Sequence, residues 1–253
     1  MRKQDIFVDI IIPNFNKANY LDECIKSVFD QNFKNWKLYI VDDCSTDNSK
    51  EIINKYLNNS KIKIYFLKKN KGPSFCRNLG IRKSSNEYIS FLDSDDMWKN
   101  NKLSDQVQFM RKNNYQFTFS NYTNIYNNNS KEDVKVKKIF NLADFQMDTS
   151  INSSTMIIKR SSIGLTKFKK IDLLEDYLFK CDLLKKDITA FNTNSSLAFY
   201  RINSNSRSKS KFKNIFWLWK INRDYNNLNF IKNLILLFYS IINSLKKYGF
   251  KKY

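Results

Sequence analysis

The sequence has no histidine and very little glycine, and each shortage excludes a class of chemistry. With no histidine among 253 residues, Ser-His-Asp and Cys-His catalysis, histidine-ligated zinc and a histidine general base are excluded. The four glycines, Gly72, Gly80, Gly164 and Gly249, form neither a G-x-G-x-x-G nor a G-x-x-x-x-G-K-[ST] pattern, so neither type of glycine-rich phosphate loop is present. Any chemistry must rest on carboxylates, on lysine and arginine, and on a metal ion that carboxylates bind.

Cysteine is also scarce, and its spacing is not that of a metal or redox site. The four cysteines, Cys24, Cys44, Cys76 and Cys181, include no C-x-x-C pair. Free thiols, together with an N-terminus that lacks a signal peptide, predict a reducing, cytoplasmic location. The longest uncharged apolar stretch, residues 233–245, is shorter than the ~20 residues that span a bilayer, so the sequence predicts no transmembrane helix.

Acidic residues are few, and they nearly vanish towards the C-terminus. Lysine and arginine number 44 against 24 aspartates and glutamates, a net charge of +20. Residues 201–253 hold 12 basic residues and one acid, Asp224, so this end suits an anionic surface such as lipid head groups or nucleic acid. A basic nucleic-acid-binding protein without catalysis is therefore one alternative, and the 15% aromatic content agrees with it.

The hydrophobic pattern of the first 100 residues alternates between strands and helices. Short apolar runs predict buried strands at residues 7–12, 37–41, 62–67 and 88–92. Helical spacing predicts intervening helices over 21–29, from a capping box at Asn48 and Glu51 to residue 57, and over 72–79. This alternation predicts a mainly parallel sheet flanked by helices, with ligands bound beyond the carboxyl ends of its strands.

The rest of the chain is less regular. We predict strands at residues 115–126, 153–159 and 196–202 and a helix over 173–184, and we leave 127–150 unassigned. From residue 212 onwards the sequence is helical, aromatic and basic.

Two of the predicted strands end in aspartates. Asp42 and Asp43 follow the second strand, and Asp93, Asp95 and Asp96 follow the fourth. Crowded carboxylates repel one another unless a cation neutralises them, and Mg²⁺ or Mn²⁺ commonly uses one or two carboxylates plus substrate phosphates. The alternative is that Asp95 and Asp96 cap the helix that starts near residue 100. The clusters would repel nucleic acid, so we expect no nucleic-acid partner.

Several stretches in order and at normal spacing resemble the family 2 glycosyltransferases with the GT-A fold. They are VDIIIPNFNKANYLDECIKSVFDQNF, LYIVDDCSTDNS, KNKGPSFCRNLGI and YISFLDSDDMW, and, more loosely, INSSTMIIKRSS, LLEDYLFKCDLL and AFYRINSNSRS. The resemblance implies an α/β GT-A nucleotide-diphospho-sugar transferase fold. It divides residues 1–211 into a nucleotide-binding half, 1–100, and an acceptor-binding half, 101–211, and leaves a helical tail at 212–253.

The resemblance assigns donor-binding roles to matching residues. Pro13, Asn14 and Phe15 would line the uracil pocket, Asp43 would hydrogen-bond the base, and Arg77 is similar to a residue that contacts the nucleotide.

A second group of matching residues would bind the diphosphate and its metal. In the D-x-D stretch Asp93-Ser94-Asp95, Asp93 would face the ribose, Ser94 would contact the nucleotide, and Asp95 would bind the Mn²⁺ or Mg²⁺ that bridges the diphosphate. Tyr200 and Arg201 resemble a Y-R element, which we expect to close the site over the diphosphate.

Glu175 and Asp176 resemble the E-D pair of the family, which implies that Asp176 is the catalytic base. The acceptor hydroxyl must lose a proton, and a chain without histidine needs a carboxylate for this step. A single displacement would then invert the anomeric centre. The alternative for Asp176 is favourable charge at a helix N-terminus.

These expectations define the partners of the protein. The donor would be a nucleotide sugar, and we expect a UDP-hexose. The acceptor would be a glycan, which we expect to be polyprenyl-diphosphate-linked, in O-antigen, capsule or related surface polysaccharide synthesis.

The tail carries an apolar stripe and lysines, which suit the inner leaflet of the cytoplasmic membrane and a peripheral location. Packing on the catalytic region or in a homodimer is the alternative. The stripe comprises Ile231, Leu234, Ile235, Phe238, Ile241, Ile242 and Leu245.

Overall fold

The computed structural model describes residues 6–127, 129–202 and 211–248. Their strands confirm the alternation expected for the N-terminal half. In chain order the strands are β1 (Val8–Asn14), β2 (Trp36–Asp42), β3 (Ile62–Phe66), β4 (Tyr88–Phe91), β5 (Met97–Trp98), β6 (Phe117–Tyr126), β7 (Lys131–Val134), β8 (Ile139–Phe140), β9 (Ile157–Lys159) and β10 (Ala190–Ile202).

All the described strands join one sheet, which is mainly parallel as predicted. Its order is β3-β2-β1-β4-β9-β6-β10-β5, with β7 paired to β6 and β8 paired to β10. Strands β1 to β4 are parallel, while β9 runs antiparallel to both β4 and β6. Strand β10 pairs parallel with β6. Six strands therefore share one direction, with their carboxyl ends at the same edge: β1, β2, β3, β4, β6 and β10.

The described helices cover the sheet and extend into the tail. They are α1 (Ala18–Phe29), α2 (Ser49–Asn54), α3 (Pro73–Lys83), α4 (Lys102–Asn113), α5 (Leu142–Met147), α6 (Arg160–Ile163), α7 (Glu175–Leu184), α8 (Lys211–Asp224) and α9 (Phe230–Tyr248).

Some predicted boundaries were wrong for local reasons. The Asn48 side chain makes no capping hydrogen bond to α2; Asp47 accepts from the Ser49 amide instead. Helix α2 stops at Asn54, which leaves Leu57 55% exposed rather than on an inner face. The unassigned stretch 127–150 holds β7, β8 and α5, all of which are short.

The segment 153–159 is only partly the strand that we predicted. A 3-10 turn over Ser153–Thr155 precedes β9, and the Asn152 side chain accepts from the Ser154 amide to start this turn. The turn carries two hydroxyl groups, those of Ser153 and Ser154, to the edge of the sheet where the strands end.

The tail packs on the sheet domain through specific hydrogen bonds. Tyr177 of α7 donates its hydroxyl proton to Asn222 of α8 at 2.7 Å. Asn243 of α9 donates to the carbonyl oxygen of Met147 at 3.0 Å. Among the described residues, no helix is both long enough and apolar enough to cross a bilayer. The predicted boundary at 211/212 adjoins residues 203–210, which lie outside the described residues, and remains a prediction.

Candidate functional site

A cavity of about 890 Å³ opens where the parallel strands end. Every residue assigned a site role from the sequence lines it, although these residues come from six separate stretches of the chain. They are Pro13, Asn14, Phe15, Asp43, Arg77, Asp93, Ser94, Asp95, Glu175, Asp176, Tyr200 and Arg201. Their individual roles remain predictions, but the structure brings all of them together.

The end of β1 supplies a buried amide and an exposed ring. The Asn14 side chain donates to Asp42 at 2.8 Å and to the Ser45 hydroxyl at 3.2 Å. Its Oδ1 is buried and accepts no hydrogen bond from the described residues. Phe15, next along the chain, is 44% exposed. Phe15 therefore offers a flat apolar surface at the rim, which suits a planar base, while contacts with Asp42 and Ser45 fix the neighbouring Asn14.

Asp43 holds the loop that leads into α3. Its two carboxylate oxygens accept from the backbone amides of Lys71 and Gly72, each at 2.7 Å. Gly72 has φ of +84°, a conformation that glycine adopts without steric cost. Asp43 therefore shapes the cavity wall besides lining it.

Arg77 connects the two acidic groups of the site. Its guanidinium donates to Asp93 at 2.7 Å and to Glu175 at 3.0 Å, and it lies 5.3 Å from the centre of the Phe168 ring. Arg77 and Glu175 are buried, whereas the Asp93 side chain is 30% exposed. Fixed in this way, Arg77 orients the start of α7 relative to the end of β4.

The three aspartates after β4 differ in environment. The carboxylate of Asp95 contacts the Lys17 ammonium group at 2.6 Å. Asp96 is fully buried and accepts from the Ser154 hydroxyl at 2.5 Å and from the Arg201 amide at 3.1 Å. Burial, and then the charges of Asp95 and Asp93, raise the pKa of Asp96 well above its usual value. Asp96 is thus a structural anchor.

The capping alternative for Asp95 and Asp96 is wrong. The residue that precedes α4 is Asn101, and the two aspartates point to Lys17 and to the buried Ser154. This correction leaves the cavity-facing carboxylates, Asp93 and Asp95, for ligand binding.

These carboxylates fit a divalent cation only in combination with a substrate. No group of three acidic or thiol side chains within the described residues could hold a metal ion. Hard cations such as Mg²⁺ bind one or two carboxylates when phosphate oxygens complete the coordination, and Asp93 and Asp95 provide that number.

Asp176 lies in the first turn of α7 and lines the same cavity. Its Oδ2 accepts from Lys180 at 2.7 Å and from Ser153 at 3.1 Å. The Asp176 side chain is 31% exposed, whereas that of Lys180 is 2% exposed. Burial alone would raise the pKa of Asp176, but the charges of Lys180 and Arg77 outweigh it and hold the pKa well below its usual value. Asp176 is therefore ionised and accessible from the cavity.

Leu174, which precedes α7, has φ of +62°. A branched residue rarely adopts this left-handed conformation, and such strain concentrates at functional sites. Its effect is to turn the chain so that Glu175 faces Arg77 while Asp176 faces the cavity.

The remaining wall comes from residues that the sequence did not assign to the site. Lys180 lies four residues after Asp176, so helical i,i+4 pairing of opposite charges could have identified it. Lys17 has no comparable signal in a lysine-rich chain. Helices α8 and α9 contribute Asn214, Ile215, Leu218, Leu237, Ser240, Ile241, Ser244 and Leu245.

Arg201 belongs to the same edge of the cavity. It forms an ion pair with Glu23, and its guanidinium carbon lies 5.0 Å from the centre of the Tyr20 ring. Tyr200 packs edge-on against Tyr122, with ring centres 6.0 Å apart. Strand β10 thus places both predicted residues beside α1 and β6.

Comparison with known proteins finds a family model and relatives that are all glycosyltransferases. The model of the family described as "Glycosyl transferase family 2" matches residues 9–166. The chain is 32% identical over 243 residues to a putative teichuronic acid biosynthesis glycosyltransferase, TuaG, of Bacillus subtilis, covering 95% of this chain and 96% of the relative. It is 30% identical over 246 residues to the Escherichia coli UDP-Glc:alpha-D-GlcNAc-diphosphoundecaprenol beta-1,3-glucosyltransferase WfgD, covering 97% and 96%.

Two solved structures share the fold at low identity. S. aureus TarS 1–349 in complex with UDP-GlcNAc superposes with a TM-score of 0.71 at 19% identity, over 96% of this chain and 73% of that one. The Pyrobaculum calidifontis mannosyltransferase PcManGT, in complex with GDP-Man and Mn²⁺, superposes with a TM-score of 0.69 at 13% identity, over 96% of this chain and 70% of that one. The expected GT-A architecture is thereby confirmed. The cavity, the family match and the full-length relatives agree: the chain belongs to glycosyl transferase family 2 and is a glycosyltransferase.

Proposed function

We propose that the protein transfers a hexosyl group from a UDP-hexose to a polyprenyl-diphosphate-linked glycan during surface polysaccharide synthesis. The observation that carries this proposal is the convergence of Asp43, Asp95 and Asp176 on one cavity. Full-length relatives support it, because WfgD and WfaP of Escherichia coli are both named for transfer from UDP-Glc to a diphosphoundecaprenol-linked sugar. The family assignment leaves the nucleic-acid alternative without support.

The donor would bind along the ends of β1, β2 and β4. Uracil offers an N–H group and a flat ring, for which the Asp43 carboxylate and the exposed Phe15 ring are complementary. Lys17 and Arg77 place positive charge beside the aspartates, where the diphosphate is expected. Asp95, with Asp93 beside it, would hold Mn²⁺ or Mg²⁺. Such a cation acts as a Lewis acid that stabilises the charge on the departing diphosphate.

On the acceptor side, Asp176 would remove the proton of the attacking hydroxyl. Its lowered pKa keeps the carboxylate ionised at neutral pH, and Ser153 and Lys180 fix its Oδ2. Glu175 acts through Arg77 as a positioning residue. One direct displacement inverts the anomeric centre.

The acceptor also defines the proposed location. A polyprenyl-linked substrate is confined to a membrane surface, so we place the enzyme in the cytoplasm, associated peripherally with the inner face of the cytoplasmic membrane.

The test is transfer from a panel of UDP-hexoses, UDP-GlcNAc and GDP-mannose, with mass spectrometry of the product and NMR of its anomeric configuration. We expect transfer with Mn²⁺ or Mg²⁺ and its loss in EDTA. Asp95→Ala and Asp176→Asn should each lower kcat by about 10²-fold or more. Asp30→Asn, which removes an exposed carboxylate outside the cavity, is the matched control. Full turnover by both site variants would refute the proposal.

A further inference from the structure

Helix α9 has two unlike faces. One face packs on the protein: Asn233, Leu236 and Leu237 are buried, and Asn233 donates to the carbonyl oxygen of Trp219 at 3.0 Å. The other face, which we call the outer face, consists of Ile231, Leu234, Ile235 and Phe238. Their exposures are 70%, 55%, 49% and 62% respectively.

The outer face is a continuous apolar strip. Its residues follow the i, i+3, i+4, i+7 spacing that aligns side chains along a helix. The neighbouring ring of Phe230 is 68% exposed, and on α8 Phe212 and Phe216 are 87% and 60% exposed. Isolated exposed apolar residues are ordinary, but a row of them on one helix marks an interaction surface.

The charge of the C-terminal part of the sequence indicates which kind of partner binds the outer face. Residues 201–253 carry 12 basic residues and one acid. A second copy of the chain would bring like charge against like charge, whereas an anionic bilayer surface complements it. From this combination we infer that the outer face of α9 docks on anionic lipid, with its four apolar side chains inserted at the level of the head groups.

Docking in this orientation would place the cavity next to the membrane surface. The packed side of α9 supplies Leu237, Ser240 and Ser244 to the cavity wall. Ile241 lines the cavity and is also 39% exposed, so it marks where the wall meets the outer face. A lipid-linked acceptor would then reach Asp176 while its chain stays in the bilayer. This second step rests on the proposed function, whereas docking itself does not.

The experiment is co-sedimentation of the full chain with vesicles of phosphatidylcholine alone or with about 30% phosphatidylglycerol. The test variant is Ile235→Ser/Phe238→Ser, which changes two exposed residues that do not line the cavity. The matched control is Leu57→Ser/Leu165→Ser, whose residues are 55% and 92% exposed elsewhere on the protein. We expect binding only to the anionic vesicles, and a partition coefficient lowered at least about tenfold in the test variant alone.

Two results would overturn the inference: no binding of the parent chain to anionic vesicles, or equal binding by the test variant. A concentration-dependent dimer in sedimentation velocity, abolished by the same two substitutions, would assign the outer face to a second copy instead. Transfer to a water-soluble acceptor analogue separates this inference from the proposed function. If docking is right, the test variant keeps that transfer but loses transfer to acceptor embedded in vesicles.

Discussion

At the scale of single residues, Lys102 is a buried lysine that forms no ion pair with a carboxylate of the described chain. It is fully buried at the start of α4, where it donates to the Ser90 hydroxyl at 2.6 Å and lies 3.9 Å from the centre of the Trp98 ring. Burial lowers its pKa well below the usual 10.5. We predict that Lys102→Met raises the free energy of unfolding at pH 7 by about 1–3 kcal/mol, because the variant no longer buries an ionisable group.

The pH dependence of this effect follows from the direction of the pKa shift. Between its lowered folded pKa and 10.5, the unfolded chain binds a proton that the folded chain does not, so the stability of the parent protein rises with pH. The advantage of Lys102→Met should therefore shrink between pH 7 and pH 9.5 in urea denaturation. Lys112→Met, at an exposed site of the same helix, should show neither effect. An unchanged or lowered stability at pH 7 would contradict the prediction.

Lys180 gives a second prediction at this scale, through its ion pair with Asp176. Because Lys180 lowers the pKa of Asp176, Lys180→Met should raise that pKa and move the acidic limb of kcat/KM upwards by about one pH unit or more. The measurement is the pH–rate profile of hexosyl transfer, accompanied by thermal unfolding, because Lys180 also donates to the carbonyl oxygen of Ile151. A loss of rate with the same profile would show that Lys180 does not tune Asp176.

At the scale of elements, the contact of α3 with β1 depends on one missing side chain. A Cβ atom at Gly80 would lie 2.5 Å from Cγ2 and 2.9 Å from Cγ1 of Ile11, and Ile11 is fully buried. We predict that Gly80→Ala costs about 1–3 kcal/mol by overpacking, despite the better helix propensity of alanine. Urea denaturation of Gly80→Ala, Ile11→Ala and the double variant tests this. The double variant should lose less than the sum of the two single losses, and simple additivity would refute the close contact.

The same scale shows why some elements were predictable from sequence and others were not. The ends of β2 and β4 follow from apolar runs that stop at aspartates, so Asp43, Asp93 and Asp95 could be placed at one edge in advance. The short elements between residues 127 and 150 could not, because β8 has two residues and takes its place from pairing with β10. Local pattern cannot encode a pairing partner about fifty residues away.

At the scale of the whole molecule, the tail shows that hydrophobic periodicity predicts a helix but not which of its faces packs on the protein. The apolar stripe of α9 was identified correctly, but its pattern could not tell which face packs on the protein. The packed face includes Asn233 and Asn243, whose amides find carbonyl partners on Trp219 and Met147. Asn233 is buried and Asn243 half-buried. Polar groups removed from water are stable only because tertiary contacts satisfy them, and a sequence does not display those contacts.

The packing of the tail makes α9 part of the cavity wall, and this leads to a prediction about the molecule as a whole. Ser240 lines the cavity on the side formed by the tail, and we propose that the donor binds at the strand ends. Ser240→Phe adds a bulky ring there, so it should raise the KM for the acceptor about tenfold or more, while the Kd for UDP stays within about twofold of the parent value. Ser161→Phe, at an exposed serine outside the cavity, controls for the substitution itself. Steady-state kinetics with varied acceptor and calorimetric titration with UDP separate the two effects. If UDP affinity falls as much as acceptor affinity, the tail wall belongs to the donor site; if neither changes, α9 is not a wall of the acceptor site in solution.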